Sequence, residues 1–195
     1  MTSKSGLWKI DWALFARYGF GRAYRIALQH RATTQSGVSF AYGETPRKTT
    51  QTLLEMMQLQ PSDRFVELGS GIGRMTLYAS QLYGVSATGI EAVQRFVDGG
   101  NEISAKLHLR DCTFTQGDIF DHNWESFSVL YLMMTTFPDD TLNRVQQKCD
   151  TLRSKTKLIT VTHPINHHRL KQTELQVLDF SWGPATVFVH QVLPP

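Results

Sequence analysis

Three acidic residues follow three short apolar runs, and the first of them opens a glycine-rich loop. In "FVELGSGIGRMTLYAS", Glu67 stands two residues ahead of Gly69, and Ser70, Gly71 and Gly73 follow. Glycines let a ligand approach the backbone closely, and the helix that follows offers unpaired N-terminal amides. A phosphate-cradling loop would end in Gly-Lys-Ser/Thr, whereas this one ends in Gly73-Arg74-Met75. A dinucleotide fingerprint would place a third glycine where Arg74 stands. It would also keep a carboxylate away from the pyrophosphate, because two anions repel. Glu67 suits a cationic or zwitterionic ligand instead. The second acid, in Gly89-Ile90-Glu91, stands where a carboxylate can take both hydroxyls of a ribose. The third, in "QGDIF", is Asp118, followed by Ile119.

The elements around these residues alternate strand and helix. "RFVEL", "SATGIE", "CTFTQGD", "FSVLYLMM" and "TKLITVTH" are expected strands, separated by helices over 73–83, 92–107 and 138–153. "FSVLYLMM" is apolar on both faces, which predicts a central strand of a parallel sheet. "LQVLDFSW" and "ATVFVHQ" flank Gly183-Pro184 and predict an antiparallel hairpin. The expected fold is α/β, a three-layer Rossmann-like sheet that is mostly parallel with an antiparallel C-terminal hairpin. A helix is expected over Pro46–Gln60, with Thr45 as N-cap and Leu53, Leu54, Met57 and Leu59 on its buried side. Residues 7–31 are helical in pattern, divided or kinked at Gly19 and Gly21, and 32–41 form a loop. The division expected is a helical extension or lid over 1–40 and a main domain over 41–195.

The spacing E-x-G-x-G-x-G resembles the first motif of the class I S-adenosylmethionine (SAM) methyltransferases. The longer run "AYGETPRKTTQTLLEMMQLQPSDRFVELGSGIGRMTLYAS" resembles the catalytic domain of the histone-lysine methyltransferases named for disruption of telomeric silencing. That resemblance covers roughly residues 41–192. It implies SAM as cofactor and methyl transfer as the reaction, with Tyr42, Glu44 and Thr45 folded over the methionine end of SAM. It also implies Asp118 near the adenine amine, and the class I sheet with its closing hairpin. Two departures stand out. Met133-Met134-Thr135-Thr136-Phe137 replaces the family's Asn-Asn-Phe-Ala-Phe, and methionine cannot make an asparagine's hydrogen bonds. Val187-Phe188-Val189 stands where the family has a tyrosine pair.

Methyl transfer from SAM is an in-line displacement, so the protein positions the acceptor and removes its proton. Groups beyond the carboxyl ends of the strands are the candidates: Met134, Thr135, Thr136 and Phe137 after the fourth strand, His163 after the fifth, and Trp182 in the hairpin. Phe137 and Trp182 can wall a channel for an alkylamine, and histidine is the side chain whose intrinsic pKa suits a base near neutrality. The acceptor expected from the resemblance is a protein lysine. RNA and small molecules are the alternative acceptors, and a non-catalytic SAM-binding protein is the alternative from outside the enzymes. There is no Asp/Asn-Pro-Pro-aromatic run after the fourth strand and no cysteine near that loop, which disfavours methylation of base amines and of the cytosine ring. "HPINHH" carries His163, His167 and His168 without a carboxylate or cysteine at close spacing, so no metal is expected.

Composition sets the remaining bounds. Of the 195 residues, 41% are apolar and 19% charged, ordinary for a globular chain. Two separated cysteines, Cys112 and Cys149, form no disulfide framework and match a reducing compartment. No long apolar run is present, and no apolar signal core precedes a small-residue cleavage site, so a cytoplasmic location is expected. Residues 1–50 hold eight Lys/Arg and two acids, whereas the other 145 hold twelve Lys/Arg and fifteen acids. Such a basic arm fits an anionic partner, either RNA or a membrane surface contacted peripherally through residues 7–31. Trp8, Trp12 and Phe15 share one face of that helix, which predicts that this face packs on its own domain.

Overall fold

The computed structural model describes residues 6–33 and 43–194. Among them, the strands are β1 (Arg64–Leu68), β2 (Ser86–Glu91), β3 (Cys112–Gln116), β4 (Val129–Met133), β5 (Lys157–Val161), β6 (Leu170–Phe180) and β7 (Gly183–Val192). The helices are α1 (Leu7–Tyr18), α2 (Arg22–Thr33), α3 (Arg47–Met57), α4 (Arg74–Tyr83), α5 (Gln94–Lys106) and α6 (Asp139–Cys149). The strands form one sheet in the order β3-β2-β1-β4-β5-β7-β6. β1 to β5 are parallel, and β7 lies antiparallel between β5 and β6.

β4 pairs with β1 on one side and β5 on the other, as its two-faced apolar pattern requires. Successive side chains go to opposite layers. Val129 and Tyr131 join the core shared with α1 to α5, while Leu130 and Leu132 join the one formed with α6 and Trp124. These two cores on opposite faces of one sheet are the three expected layers. The acids Glu67 and Glu91 and the Gly117-Asp118 turn therefore fall at the carboxyl ends of three adjacent strands.

Several boundaries differ from the pattern-based reading. α3 starts at Arg47, so Pro46 rather than Thr45 is the N-cap, and no side chain caps it. Within the first turn the Thr50 hydroxyl donates back to the Pro46 carbonyl at 3.1 Å, which leaves the open amides uncapped. α6 stops at Cys149 rather than at 153 because the buried Arg169 guanidinium gathers carbonyls there. It donates to the Cys149 oxygen at the helix end at 3.4 Å, and beyond it to the Asp150 oxygen at 2.5 Å, the Leu152 oxygen at 2.9 Å and the Leu193 oxygen at 3.2 Å. A cation at a helix C-terminus satisfies carbonyls that the helix leaves open. The hairpin also begins earlier, at Leu170 rather than 175. The loop expected at 32–41 falls largely outside the described residues, and α2 runs on to Thr33.

The N-terminal helix presents the opposite face from the one expected. Leu7, Ile10, Leu14 and Tyr18 are buried, while Trp8, Trp12 and Phe15 are exposed. The two apolar stripes lie roughly 120° apart on the helix, so burying one exposes the other. The aliphatic stripe wins because it brings Asp11 to partners. The Asp11 carboxylate accepts from Arg74 Nη1 and from the Tyr78 hydroxyl, each at 2.6 Å, and Arg47 Nη1 lies 3.1 Å away. Tyr18 donates to the Arg95 carbonyl at 3.2 Å, and Arg17 pairs with Glu102, which fixes the far end of α1 on α5.

Candidate active site

The glycine loop is held to β2 by its own backbone. The Gly69 and Ser70 amides donate to the Ile90 carbonyl at 2.8 and 3.0 Å, and the Gly71 amide donates to Glu91 Oε2 at 2.7 Å. Gly73 closes the loop with φ +81°, and a Cβ there would sit 2.3 Å from the Phe114 ring. No other residue fits both that conformation and that contact. The Glu91 carboxylate also accepts from the Val93 amide at 2.9 Å. Each of its oxygens keeps a further lone pair, so it can still accept two hydroxyls.

Glu67 lies beneath this loop and is buried. Its Oε2 accepts from the Thr76 amide at 3.0 Å and the Thr76 hydroxyl at 2.6 Å. It therefore caps an open amide in the first turn of α4, where negative charge also suits the helix dipole. Burial nevertheless dominates and pushes its carboxyl up to about 8, with nearby Glu91 adding to the rise. Burial moves Glu91 in the same direction. The raised value fixes a sign: between the usual carboxylate range and pH 8, the folded protein holds a proton that the unfolded chain releases. The stability that this proton contributes is present at low pH and lost as pH rises through about 8. The expected result is a lower Tm at pH 9 than at pH 6, with the difference shrinking in Glu67→Gln. A Tm gap left unchanged by that substitution would assign the effect elsewhere.

Glu44, Thr45 and Trp182 meet at the same edge. Glu44 faces Arg74 Nη2 at 3.8 Å on the rim of the glycine loop. A Cβ on Gly43 would lie 2.6 Å from the Trp182 indole, so the ring lies flush against that backbone. Trp182 also stacks on Phe180 at 4.8 Å, and the Thr49 hydroxyl donates to the Asp179 carbonyl. The hairpin tip is thus fastened to the start of α3 and to the Gly43–Glu44 segment. Tyr42 lies outside the described residues. The buried Ser70 Oγ and Tyr131 Oη make no well-formed hydrogen bond among the described residues. Tyr131 lies close enough to Glu67 and Thr45 for both to affect its titration. Polar groups left open in this way, beside a loop that excludes side chains, fit a zwitterionic nucleoside.

The residues expected on the acceptor side divide. The Thr135 and Thr162 hydroxyls share a hydrogen bond at 2.8 Å, joining the ends of β4 and β5. Thr136 is exposed, Phe137 is half-buried against the α6-side core, and His163 is half-buried just beyond β5. Met134, by contrast, is fully buried in that core and cannot meet an acceptor. Its position follows β4's alternation, which sends it inward with Leu130 and Leu132. Asp118 is already engaged: Oδ1 accepts from the Phe120 amide at 2.9 Å, and Oδ2 lies 3.6 Å from Arg144. Ile119 starts the short 3-10 turn that this aspartate caps, and its carbonyl accepts from the buried Trp124 indole at 2.7 Å. Arg74, Asp11 and Tyr131 escaped sequence reasoning. Arg74 carried one signal, since it stands where a dinucleotide loop needs glycine.

The histidine cluster acquires a carboxylate that its spacing did not show. Asp150, from the end of α6, lies 3.0 Å from His167 Nε2, and its ligand atoms and those of His167 and His168 fall within 4.8 Å of one another. Yet His167 Nδ1 accepts the Arg169 amide at 3.2 Å. Nε2 must then carry the ring's proton and donate it to Asp150, which leaves neither nitrogen of a neutral ring free for a metal. The cluster is a hydrogen-bonded clasp between α6 and β6.

A parallel sheet with an inserted antiparallel β7, a glycine loop after β1 and a ribose-type acid after β2 define the class I SAM-dependent methyltransferase architecture. Comparison with known proteins agrees. The family model described as "Histone methylation protein DOT1" matches residues 27–180, and the chain belongs to that family. It is 29% identical over 167 residues to a histone-lysine N-methyltransferase, H3 lysine-79 specific, of Yarrowia lipolytica, covering 73% of this chain and 34% of that protein. It is 29% identical over 107 residues to a protein-L-isoaspartate O-methyltransferase of Pseudomonas aeruginosa, covering 53% of this chain and 48% of the other. The chain thus spans a third to a half of the length of these relatives. A solved RNA methyltransferase of Salinibacter ruber, in complex with S-adenosyl-L-homocysteine, superposes with a TM-score of 0.65 at 20% identity, over 78% of this chain and 95% of that one.

Proposed function

We propose that the protein transfers a methyl group from SAM to the side-chain amine of a protein lysine. The observation that carries this reading is the meeting of the Gly43–Thr45 segment with the glycine loop, through Glu44 and Arg74, and with the hairpin tip, through Gly43 and Trp182. Membership of the DOT1 family and the likeness to a lysine-79 enzyme support the choice of acceptor.

Bound at this loop, SAM would supply a methyl group already activated on a sulfonium. The chain's own residues divide the remaining work. Glu91 accepts the ribose hydroxyls with its spare lone pairs, and the glycine loop lets the backbone approach the nucleoside. Glu44, on the rim, offers a carboxylate to the ammonium group of the methionine portion. Trp182 supplies an apolar wall beside that segment, and His163, beyond β5, is the base assigned in this proposal to the proton of the attacking amine.

Glu44→Ala is expected to weaken SAM about tenfold, the scale of one lost charge-assisted contact, whereas Glu102→Ala, which only frees Arg17, leaves it unchanged. Equal, negligible effects in calorimetry would reduce Glu44 to a turn residue. The acceptor is tested with methyl-tritiated SAM, the purified protein and a cell lysate divided between protease and nuclease. Label lost to protease alone is expected. Label lost to nuclease, or carried by small enzyme-resistant products, would replace lysine with RNA or a metabolite. Tight SAM binding with no label would remove catalysis from the proposal.

A further inference from the structure

The outer face of the N-terminal helices has no use in the methyl-transfer site. Phe20 is 91% exposed, Trp12 66% and Trp8 59%, and Phe15, Tyr24 and Leu28 are exposed beside them. The rings form a continuous cluster on the surface: Trp12 and Phe15 are 6.0 Å apart, and Phe15 and Phe20 are 5.4 Å apart. Isolated exposed apolar residues are ordinary, but a contiguous aromatic patch of this kind marks an interaction surface. Its chemistry is one-signed. Lys9, Arg22 and Arg25 are exposed on the same two helices, and Lys9 lies over the Trp8 ring at 6.0 Å. Asp11 is the one acid among residues 6–33, and it is turned inward onto Arg74, Tyr78 and Arg47.

We propose that this face docks on an anionic lipid bilayer surface, with the aromatic cluster at headgroup depth and the cations on lipid phosphates. Trp, Phe and Leu interleaved with Lys and Arg and free of outward acids are the signature of a helix lying in the interface. No helix among the described residues is long and apolar enough to cross a membrane, so the contact is peripheral. A nucleic acid would use open ring faces for stacking. Here the rings pack tilted or edge-on against one another, and Leu28 offers a base nothing. Phe20 stands at the α1–α2 corner with φ +57°, almost fully exposed and touching the cluster only edge-on through Phe15. The buried stripe of α1 holds the helix on the domain independently of what its outer face touches.

The test is co-sedimentation of the whole chain with vesicles of phosphatidylcholine alone and of phosphatidylcholine with phosphatidylglycerol, beside the double variant Trp12→Glu/Phe20→Glu. These positions are solvent-exposed, so the fold should survive, and unchanged SAM affinity checks that it does. Binding only to the anionic vesicles is expected, with a blue shift of tryptophan emission. The double variant should bind at least about tenfold more weakly, and Lys9→Glu/Arg22→Glu/Arg25→Glu should lose both the binding and its salt dependence. Absence of binding to anionic vesicles, or equal binding by the double variant, overturns the proposal. So does a solution dimer, or a complex with single-stranded RNA, that the double variant abolishes while vesicles are not bound.

Discussion

Gly71→Arg is expected to lower SAM affinity by about 100-fold or more, a loss near 3 kcal/mol, while leaving the fold intact. Gly71 sits at φ +52°, a conformation that a residue with a Cβ adopts only under strain. Its amide is the loop's tie to Glu91 at 2.7 Å, so distortion there also disturbs the acid offered to the ribose. The introduced side chain would fill the space that the glycines keep open and bring positive charge toward a ligand that is itself cationic at sulfur. The loop lies at the carboxyl edge of the sheet rather than in its core, so the strain costs folding only about 1–2 kcal/mol and the larger loss falls on the ligand. Calorimetry with a parallel thermal melt checks this. An affinity within about twofold of the parent in the folded variant would mean that SAM does not sit on this loop.

Asp11→Ala should cost more stability than Gly71→Arg, Glu44→Ala or Glu102→Ala. One carboxylate holds the Arg74 guanidinium, the Tyr78 hydroxyl and Arg47. Removing it leaves a largely buried cation and a phenol without their acceptor, which costs roughly 2–4 kcal/mol. For a chain of this size that is a fall in Tm of roughly 5–12 °C. The effect should run through Arg74. In the double variant Asp11→Ala/Arg74→Ala, the combined loss should be smaller than the sum of the two single losses, because the stranded charge has gone. Additive losses would show that Asp11 acts by some other route. Arg74 also faces Glu44, so the single variant should weaken SAM by a few fold. A merely structural tether of α1 would not produce that effect.

These residues separate what was legible in the sequence from what was not. Period-two and period-3.6 patterning placed the strands and helices, because each reflects a choice made within a few residues. β4 announced its central position by being apolar on both faces, and it pairs with β1 and β5. The glycine loop and Glu91 were legible because their spacing is local, and the structure joins them through the Gly71 amide.

Choices between local solutions were not legible. α1 carries an aromatic and a mainly aliphatic stripe, and apolar periodicity alone does not choose between them. The buried stripe was chosen by Arg74 and Tyr78, more than sixty positions away, which reward Asp11 only in one rotation of the helix. Asp150 meets His167 because Arg169, in the turn just before β6, gathers the carbonyls at and just beyond the end of α6, contacts made from a distant segment. Trp182 found Gly43 because β7 runs back between β5 and β6 and brings the hairpin tip to the start of α3. The sequence by itself determined the alternating elements, the cofactor loop and the acids at the strand ends, since those depend on short-range periodicity and spacing. Only the tertiary structure decided which face of α1 is buried, which charges meet at Asp11 and what stands beside the cofactor edge. Those outcomes rest on contacts between distant segments, whose energies are set by shape and charge once the sheet has brought them together.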